Sequence, residues 1–286
     1  PQRRYLILHL PHDTNNLSLI LPPQIEPIMK VVLFCGGQGT RLRDYSETIP
    51  KPMVNVGFRP ILWNIMKYYA HFGHNDFILA LGYKADVIKN YFISYNETLS
   101  NDFVYSEGGK QIELLNSDIA DWKITFVDTG IQSNIGMRLM RLREYLEGEE
   151  MFLANYADGL TDMHLPNMIE HFVQKPDKVA SFMTYQPTAS FHVVQAEDNG
   201  DVSAIQPISY ANLWLNTGYF IFRKNIFDYI KYGEELVVEP FHRLIEKKLL
   251  VTYHHTGFWQ QMDTFRDKMI LDELQDKGNP PWQVWG

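Results

Sequence analysis

From Met29 onward, short unbroken apolar runs alternate with longer stretches whose apolar positions recur near every 3.6 residues. That alternation predicts a mostly parallel sheet covered by helices. Val31, Val32, Leu33 and Phe34 form the first run, a strand over 30–35 buried on both faces and ended by glycines. After Pro60, which suits a first helical position, Ile61, Leu62, Ile65, Met66 and Tyr69 repeat at helical spacing until Gly73 stops them. A strand over 76–81 and a helix over 85–95 follow, and then 102–115 reads as a hairpin turning at Gly108-Gly109. Strands at 123–127 and 151–154 flank a helix over 139–146, with Leu139, Leu142 and Leu146 on one face and Gly148 beyond it. The second half is richer in strands, at 179–185, 191–196, 202–206 and 213–222, with helices at 239–248 and 264–276. No repeat or linker-like stretch divides the halves, so one domain over 29–286 is expected.

Residues 1–28 break the pattern, with Pro11, Pro22, Pro23 and Pro27 interrupting them and a polar cluster at 13–16. Arg3 and Arg4 precede an apolar run of only six residues, 5–10, with no small-residue cleavage site after it. That falls short of a secretory signal, and the segment reads as an extension outside the fold. A net charge of -8 repels nucleic acid and anionic lipid at long range, so neither is an expected partner, and an anionic ligand needs a local basic cluster. The richest apolar stretch, 61–70, is broken by Asn64 and Lys67, well short of the roughly 18 residues of a membrane span. The single cysteine, Cys35, has no internal partner for a disulfide, which fits the reducing cytoplasm.

Directly after the first strand stands Gly36-Gly37-Gln38-Gly39-Thr40-Arg41-Leu42. Glycines there let a phosphate approach backbone N–H groups, and Arg41 adds a bidentate cation. Leu42 stands where a dinucleotide fingerprint needs its third glycine, and the Gly-Lys-Ser/Thr triplet of a P-loop is missing, so both familiar nucleotide motifs are disfavoured. Beyond the loop, Pro50 and Pro52 stiffen the backbone on either side of Lys51. The strand at 151–154 runs into Asn155-Tyr156-Ala157-Asp158-Gly159, which sets Asp158 at a carboxyl end of the sheet, where ligands bind in open α/β folds. His254 and His255, adjacent on a strand, point to opposite faces and do not suit one metal ion. Asp44, Asp162 and Asp201 read as turn or cap residues, Cys35 as a packed hydrophobe, and Trp282 and Trp285 as terminal packing.

Gly-Gly-x-Gly-Thr-Arg-Leu followed by Pro-Lys-Pro-Met resembles the signature of the sugar-phosphate nucleotidylyltransferases. The resemblance narrows to the glucose-1-phosphate cytidylyltransferase branch through Pro60-Ile61-Leu62-Trp63, Gly82-Tyr83-Lys84, Val127-Asp128-Thr129-Gly130, Tyr156-Ala157-Asp158-Gly159, Glu239-Pro240, the run from His255 through Trp259-Gln260-Gln261-Met262-Asp263-Thr264, and Pro281-Trp282. It covers nearly all of 29–286. It implies a Rossmann-like mixed, mostly parallel sheet with helices on both faces and an added C-terminal β-containing lobe, the nucleotide-diphospho-sugar transferase type. It further implies transfer of a nucleotidyl group from CTP to a sugar 1-phosphate such as glucose 1-phosphate, with release of pyrophosphate. Mg²⁺ would be held by Asp158 and Asp263, and Arg41, Lys51 and Asp158 would be catalytic. Gly36, Gly37, Gly39, Thr40, Arg41, Lys51, Gly82 and Gly136 would face the nucleotide, and Arg138, Asn216, Gly218, Glu239 and His255 the sugar phosphate. A homo-oligomer is expected, with the hairpin at 102–115 as the candidate subunit contact.

Two hard-oxygen carboxylates on separate loops suit Mg²⁺, and a phosphate nucleophile already largely dianionic at neutral pH needs no general base. The pattern also departs from the family. Its Glu-Lys-Pro segment, whose lysine grips the sugar phosphate, reads Gln206-Pro207-Ile208-Ser209; the segment with Thr-Gly-Gly-Arg reads Asn134-Ile135-Gly136-Met137-Arg138; and Asn-Gly-Gly reads Asn216-Thr217-Gly218. These positions fall where base and sugar would sit, so a related sugar phosphate also fits. A non-catalytic nucleotide-sugar sensor of the same fold is the alternative, favoured by the missing lysine and opposed by retention of Arg41, Lys51 and both aspartates.

Overall fold

The computed structural model describes residues 28–37, 49–187 and 191–285. In chain order these form β1 (Val31–Phe34), the two-residue strands β2 (Asn55–Val56) and β3 (Arg59–Pro60), α1 (Ile61–His71), β4 (Asp76–Leu81) and α2 (Ala85–Ile93). The hairpin β5 (Phe103–Ser106) and β6 (Gln111–Leu114) precedes β7 (Lys123–Asp128), α3 (Ile135–Arg141), β8 (Met151–Asn155), β9 (Gly159–Thr161) and α4 (Leu165–Val173). Then come β10 (Ala180–Tyr185), a second hairpin of β11 (His192–Ala196) and β12 (Val202–Pro207), β13 (Leu215–Arg223), α5 (Glu239–Glu246), β14 (Leu250–His255), β15 (Trp259–Gln261) and α6 (Phe265–Asp276).

The central sheet has the order β14-β10-β13-β8-β1-β4-β7, and β13 alone runs against its neighbours. Side chains of successive strand residues leave opposite faces, so each buried strand feeds two cores. Val31, Leu33, Phe77 and Leu79 pack under α1, α4 and α6, whereas Val32, Phe34, Ile78 and Phe152 pack with Leu139 of α3 and Phe241 and Leu244 of α5. The expected mostly parallel sheet with helices on both faces is therefore present. Three strands of the second half, β10, β13 and β14, join that sheet; β11–β12 and β9–β15 form small separate pairs.

Two helix boundaries differ from the periodicity reading. Pro60 is the residue before α1 rather than its first turn. The helix expected at 139–146 begins earlier, where the Asn134 side chain accepts from Met137 N at 2.8 Å, and tightens into a 3₁₀ turn at Arg143–Leu146. Leu139, Leu142 and Leu146 are nevertheless all buried, because both helix types keep them on the sheet side. The 102–115 hairpin turns at Gly108 and Gly109 as expected, both with positive φ, and Phe103, Tyr105, Ile112 and Leu114 on it remain exposed.

Beneath the sheet, His74 is 2% exposed and its Nδ1 accepts from Met29 N at 3.1 Å, which requires that nitrogen to be unprotonated. Burial lowers this imidazole from its ordinary 6.5 to about 4. Above pH 6.5 the ring is neutral in both folded and unfolded chains; on acidification the unfolded chain takes the proton first. Stability therefore falls as pH drops through the window from 6.5 to 4, by about 2 kcal/mol between pH 7 and pH 5. Urea melts at those two pH values should show this loss, and His74→Gln should lessen it; an unchanged loss in the variant would exclude His74 as its source.

Candidate active site

The site is assembled at the carboxyl edge of the sheet from residues distant in sequence. Lys51 sits in a 3₁₀ turn, Lys51–Met53, that Pro50 enters in an extended conformation and Pro52 stiffens. Its ammonium is 2.7 Å from Asp158 Oδ2 and also donates to Asp263 Oδ1.

Asp158 is placed by a strained turn. The Asn155 Oδ1 accepts from Ala157 N at 2.7 Å and holds Ala157 at φ 60, a left-handed conformation that costs an alanine about 1 kcal/mol. Asp263 is delivered by β15, which pairs antiparallel with β9 so that Gln261 lies opposite Gly159. The bond from Met262 N to Asp158 O at 2.8 Å continues that pairing, and the Asp267 carboxylate, which closes the capping box of α6 with Thr264, accepts from Asp263 N at 3.1 Å. Gln261 Nε2 also donates to Asp158 Oδ2 at 3.2 Å. Gln261 was not among the expected site residues; the period of two from Trp259 through Gln261 to Asp263 puts those side chains on one face and is the signal that marks it.

Burial pulls the Lys51 ammonium down, but the charges and hydrogen bonds of Asp158 and Asp263 together outweigh it and hold its pKa above the ordinary lysine value. Lys51 is thus a fixed cation at neutral pH. Among the described residues no three His, Cys, Asp or Glu side chains gather as a metal cage. Two carboxylates within reach of one ammonium nevertheless form a donor set of hard oxygens, which suits Mg²⁺ when substrate phosphates and water complete the shell.

The glycine loop begins against a buried guanidinium. Arg138, 2% exposed, donates from Nη2 to Gly36 O at 2.8 Å and from Nη1 to Leu81 O at 3.1 Å and Thr129 Oγ1 at 2.7 Å. A Cβ on Gly82 would stand 2.7 Å from Arg138 Nη1, and one on Gly36 would collide with the same group. Both glycines let the guanidinium lie flat beneath the ends of β1 and β4. The expected place of Arg138 at the sugar phosphate differs from this: the buried side chain is occupied by backbone carbonyls of the glycine loop and its neighbours. Gly37 is exposed beside it, while Gly39, Thr40 and Arg41 lie outside the described residues. Gly136 allows α3 to approach the Glu234 carbonyl rather than opening a nucleotide surface.

On the other side of Asp158, Asn216 Oδ1 accepts from Gly218 N at 2.9 Å, and Gly218 adopts φ +80 with the Tyr156 ring packed against its α-carbon. A side chain at 218 would meet that ring at 2.5 Å. Glu239 is exposed at the start of α5 and accepts from Glu235 N at 3.2 Å. His255 Nε2 is 2.8 Å from Asp162 Oδ1, which also accepts from Phe258 N at 2.7 Å. Asp162, read from sequence as a turn residue, therefore anchors His255 and the loop before β15. His254 turns the other way, its ring 4.0 Å from that of Trp214. Cys35 is fully buried, which pushes its thiol well above the ordinary value, and Trp282 packs on Phe258 with ring centres 5.8 Å apart.

The nucleotidyl transferase family profile matches residues 30–267. A glucose-1-phosphate cytidylyltransferase of Salmonella typhi is 37% identical over 259 residues, covering 90% of this chain and 100% of that protein. One of Salmonella typhimurium shows the same identity and coverage. Among solved structures, a UTP-bound UGPase from Acinetobacter baumannii superposes with a TM-score of 0.66 at 18% identity, covering 90% of this chain and 96% of that one, a likeness of fold. No helix among the described residues is long and apolar enough to cross a membrane. Matched over most of its length by the profile and across the whole length of these relatives, the chain belongs to the nucleotidyl transferase family.

Proposed function

We propose that residues 29–286 join CTP to a sugar 1-phosphate, glucose 1-phosphate first among candidates, to give a CDP-sugar and pyrophosphate. The observation that carries the reading is the convergence of Lys51, Asp158 and Asp263 at the carboxyl edge of the sheet, in a chain 37% identical to cytidylyltransferases over their full length. A phosphate oxygen of the sugar attacks the α-phosphorus in line; the new P–O bond forms as the bond between the α-phosphorus and its bridging oxygen breaks, and pyrophosphate carries away that electron pair. Lys51 holds positive charge against the triphosphate, and backbone N–H groups of the glycine loop that Gly36 opens would meet its phosphates. Asp158 and Asp263 would hold Mg²⁺, which supplies charge neutralisation when bound. Catalysis then rests on positioning, so no general base is needed. The cytoplasm, which supplies the nucleoside triphosphate, is the setting this reaction requires.

The test is pyrophosphate release with Mg²⁺ from CTP, UTP, GTP, ATP and dTTP, each with a panel of sugar 1-phosphates. CTP with glucose 1-phosphate is expected to dominate. Release from another triphosphate alone would refute the base assignment, and silence across the panel would favour the sensor.

The proposal extends to self-association through β5–β6. A two-stranded ribbon is marginal by itself in water, and Phe103 and Tyr105 lie across from Leu114 and Ile112 with all four exposed. A homo-oligomer should appear in light scattering, and a monomer at micromolar concentration would overturn it.

A further inference from the structure

The two carboxylates assigned to a divalent cation are already bridged by a cation of the chain. Lys51 Nζ donates to Asp158 Oδ2 and Asp263 Oδ1, and the three side chains are only 13, 15 and 25% exposed. The lysine is held at a turn between two prolines, so its ammonium is presented rather than drifting. Asp158 Oδ2 accepts from both Lys51 and Gln261. An oxygen whose lone pairs are so used cannot also coordinate a metal without giving up a donor. A divalent ion beside an undisplaced ammonium would also meet like charge in a site largely shielded from water.

We propose that Lys51 is an internal placeholder for the metal: in the nucleotide-free protein it competes with a divalent cation for Asp158 and Asp263, and it releases them when triphosphate oxygens offer the ammonium another partner. This rests on the assignment of the metal to Asp158 and Asp263. The placeholder keeps two adjacent carboxylates from repelling one another while the site is empty of substrate. It also couples metal and nucleotide, since each makes room for the other, and such coupling is reciprocal.

The experiment measures Mn²⁺ binding to the full chain without nucleotide, by electron paramagnetic resonance of the free ion, for the wild type, Lys51→Met and Lys51→Met/Asp158→Asn. Lys51→Met should bind Mn²⁺ at least roughly tenfold more tightly than the wild type, as expected when a competing charge is removed. Equal or weaker binding overturns the placeholder. The double variant separates the two ideas: if it keeps the affinity of Lys51→Met, the metal assignment itself is wrong. Should Lys51→Met not fold, the wild type still decides. The ¹⁵N resonance of the Lys51 ammonium should shift when Mg²⁺ saturates the nucleotide-free chain, and an unmoved resonance with Mg²⁺ bound overturns the proposal.

Discussion

Asp158→Asn is expected to lower kcat/KM for pyrophosphate release by about three orders of magnitude, roughly 4 kcal/mol of transition-state stabilisation, while leaving the fold intact. The substitution is isosteric and keeps an oxygen for Lys51 and Gln261, so packing around the turn at Asn155 and Ala157 persists. What is lost is the negative charge. Asparagine is a poor ligand for Mg²⁺ compared with a carboxylate, and Lys51 is left to a single carboxylate, Asp263. Asp263→Asn should cost a similar amount, and the double variant little more than the worse single one, because residues acting as a unit do not add. Steady-state kinetics at limiting and saturating Mg²⁺, with thermal melts to verify folding, provide the check. Retention of activity within tenfold in either single variant would remove that aspartate from the machinery.

The second large effect is expected at Arg138, and on stability. Arg138→Leu should cost about 1–3 kcal/mol of unfolding free energy, the range for leaving buried polar groups short of a hydrogen-bond donor. The guanidinium donates to Gly36 O, Leu81 O and Thr129 Oγ1, with a further bond to Ile131 O at 3.4 Å. A leucine would fill part of the volume and take one donor from each of those acceptors, although Gly36 O keeps Tyr83 N at 3.3 Å and Leu81 O keeps Thr129 N and Oγ1. Lysine should recover little, since one ammonium cannot reproduce the planar fan of a guanidinium. Urea unfolding measures the loss. A direct grip on the sugar phosphate predicts the opposite pattern, a raised KM for the sugar with normal stability, and that result would restore the sequence-based role.

Much of the frame was legible because its signals are local. The strand at 76–81 is legible to the residue, since Phe77 through Leu81 form an unbroken buried run between Asp76 and Gly82. The hairpin at 102–115 was marked by paired glycines, and the packed roles of Trp282 and Cys35 followed from apolar surroundings. Helix α4 was missing from the expected elements although Leu165, Met168, Ile169 and Phe172 repeat at i, i+3, i+4 and i+7, a signal present in the sequence. β2, β3, β9 and β15 left no such trace. Strands of two or three residues show no period; they exist because a partner far along the chain supplies their hydrogen bonds.

The same division separates the residues of the site from their arrangement. By itself the sequence determined the two-sided burial of the sheet, the stiff turn around Lys51, the surfacing of Asp158 at a strand end and, through its motifs, the family. Only the tertiary structure decided that Lys51 lies between Asp158 and Asp263, which stand 107 and 212 positions away in sequence, and that Arg138 turns inward to the glycine loop instead of outward to a ligand. Local pattern reports on backbone conformation and on which face is buried. Where a charged side chain finds its partner depends on which chain ends the β9–β15 pairing and the sheet order bring together, and on the cost of leaving a buried charge or carbonyl without one.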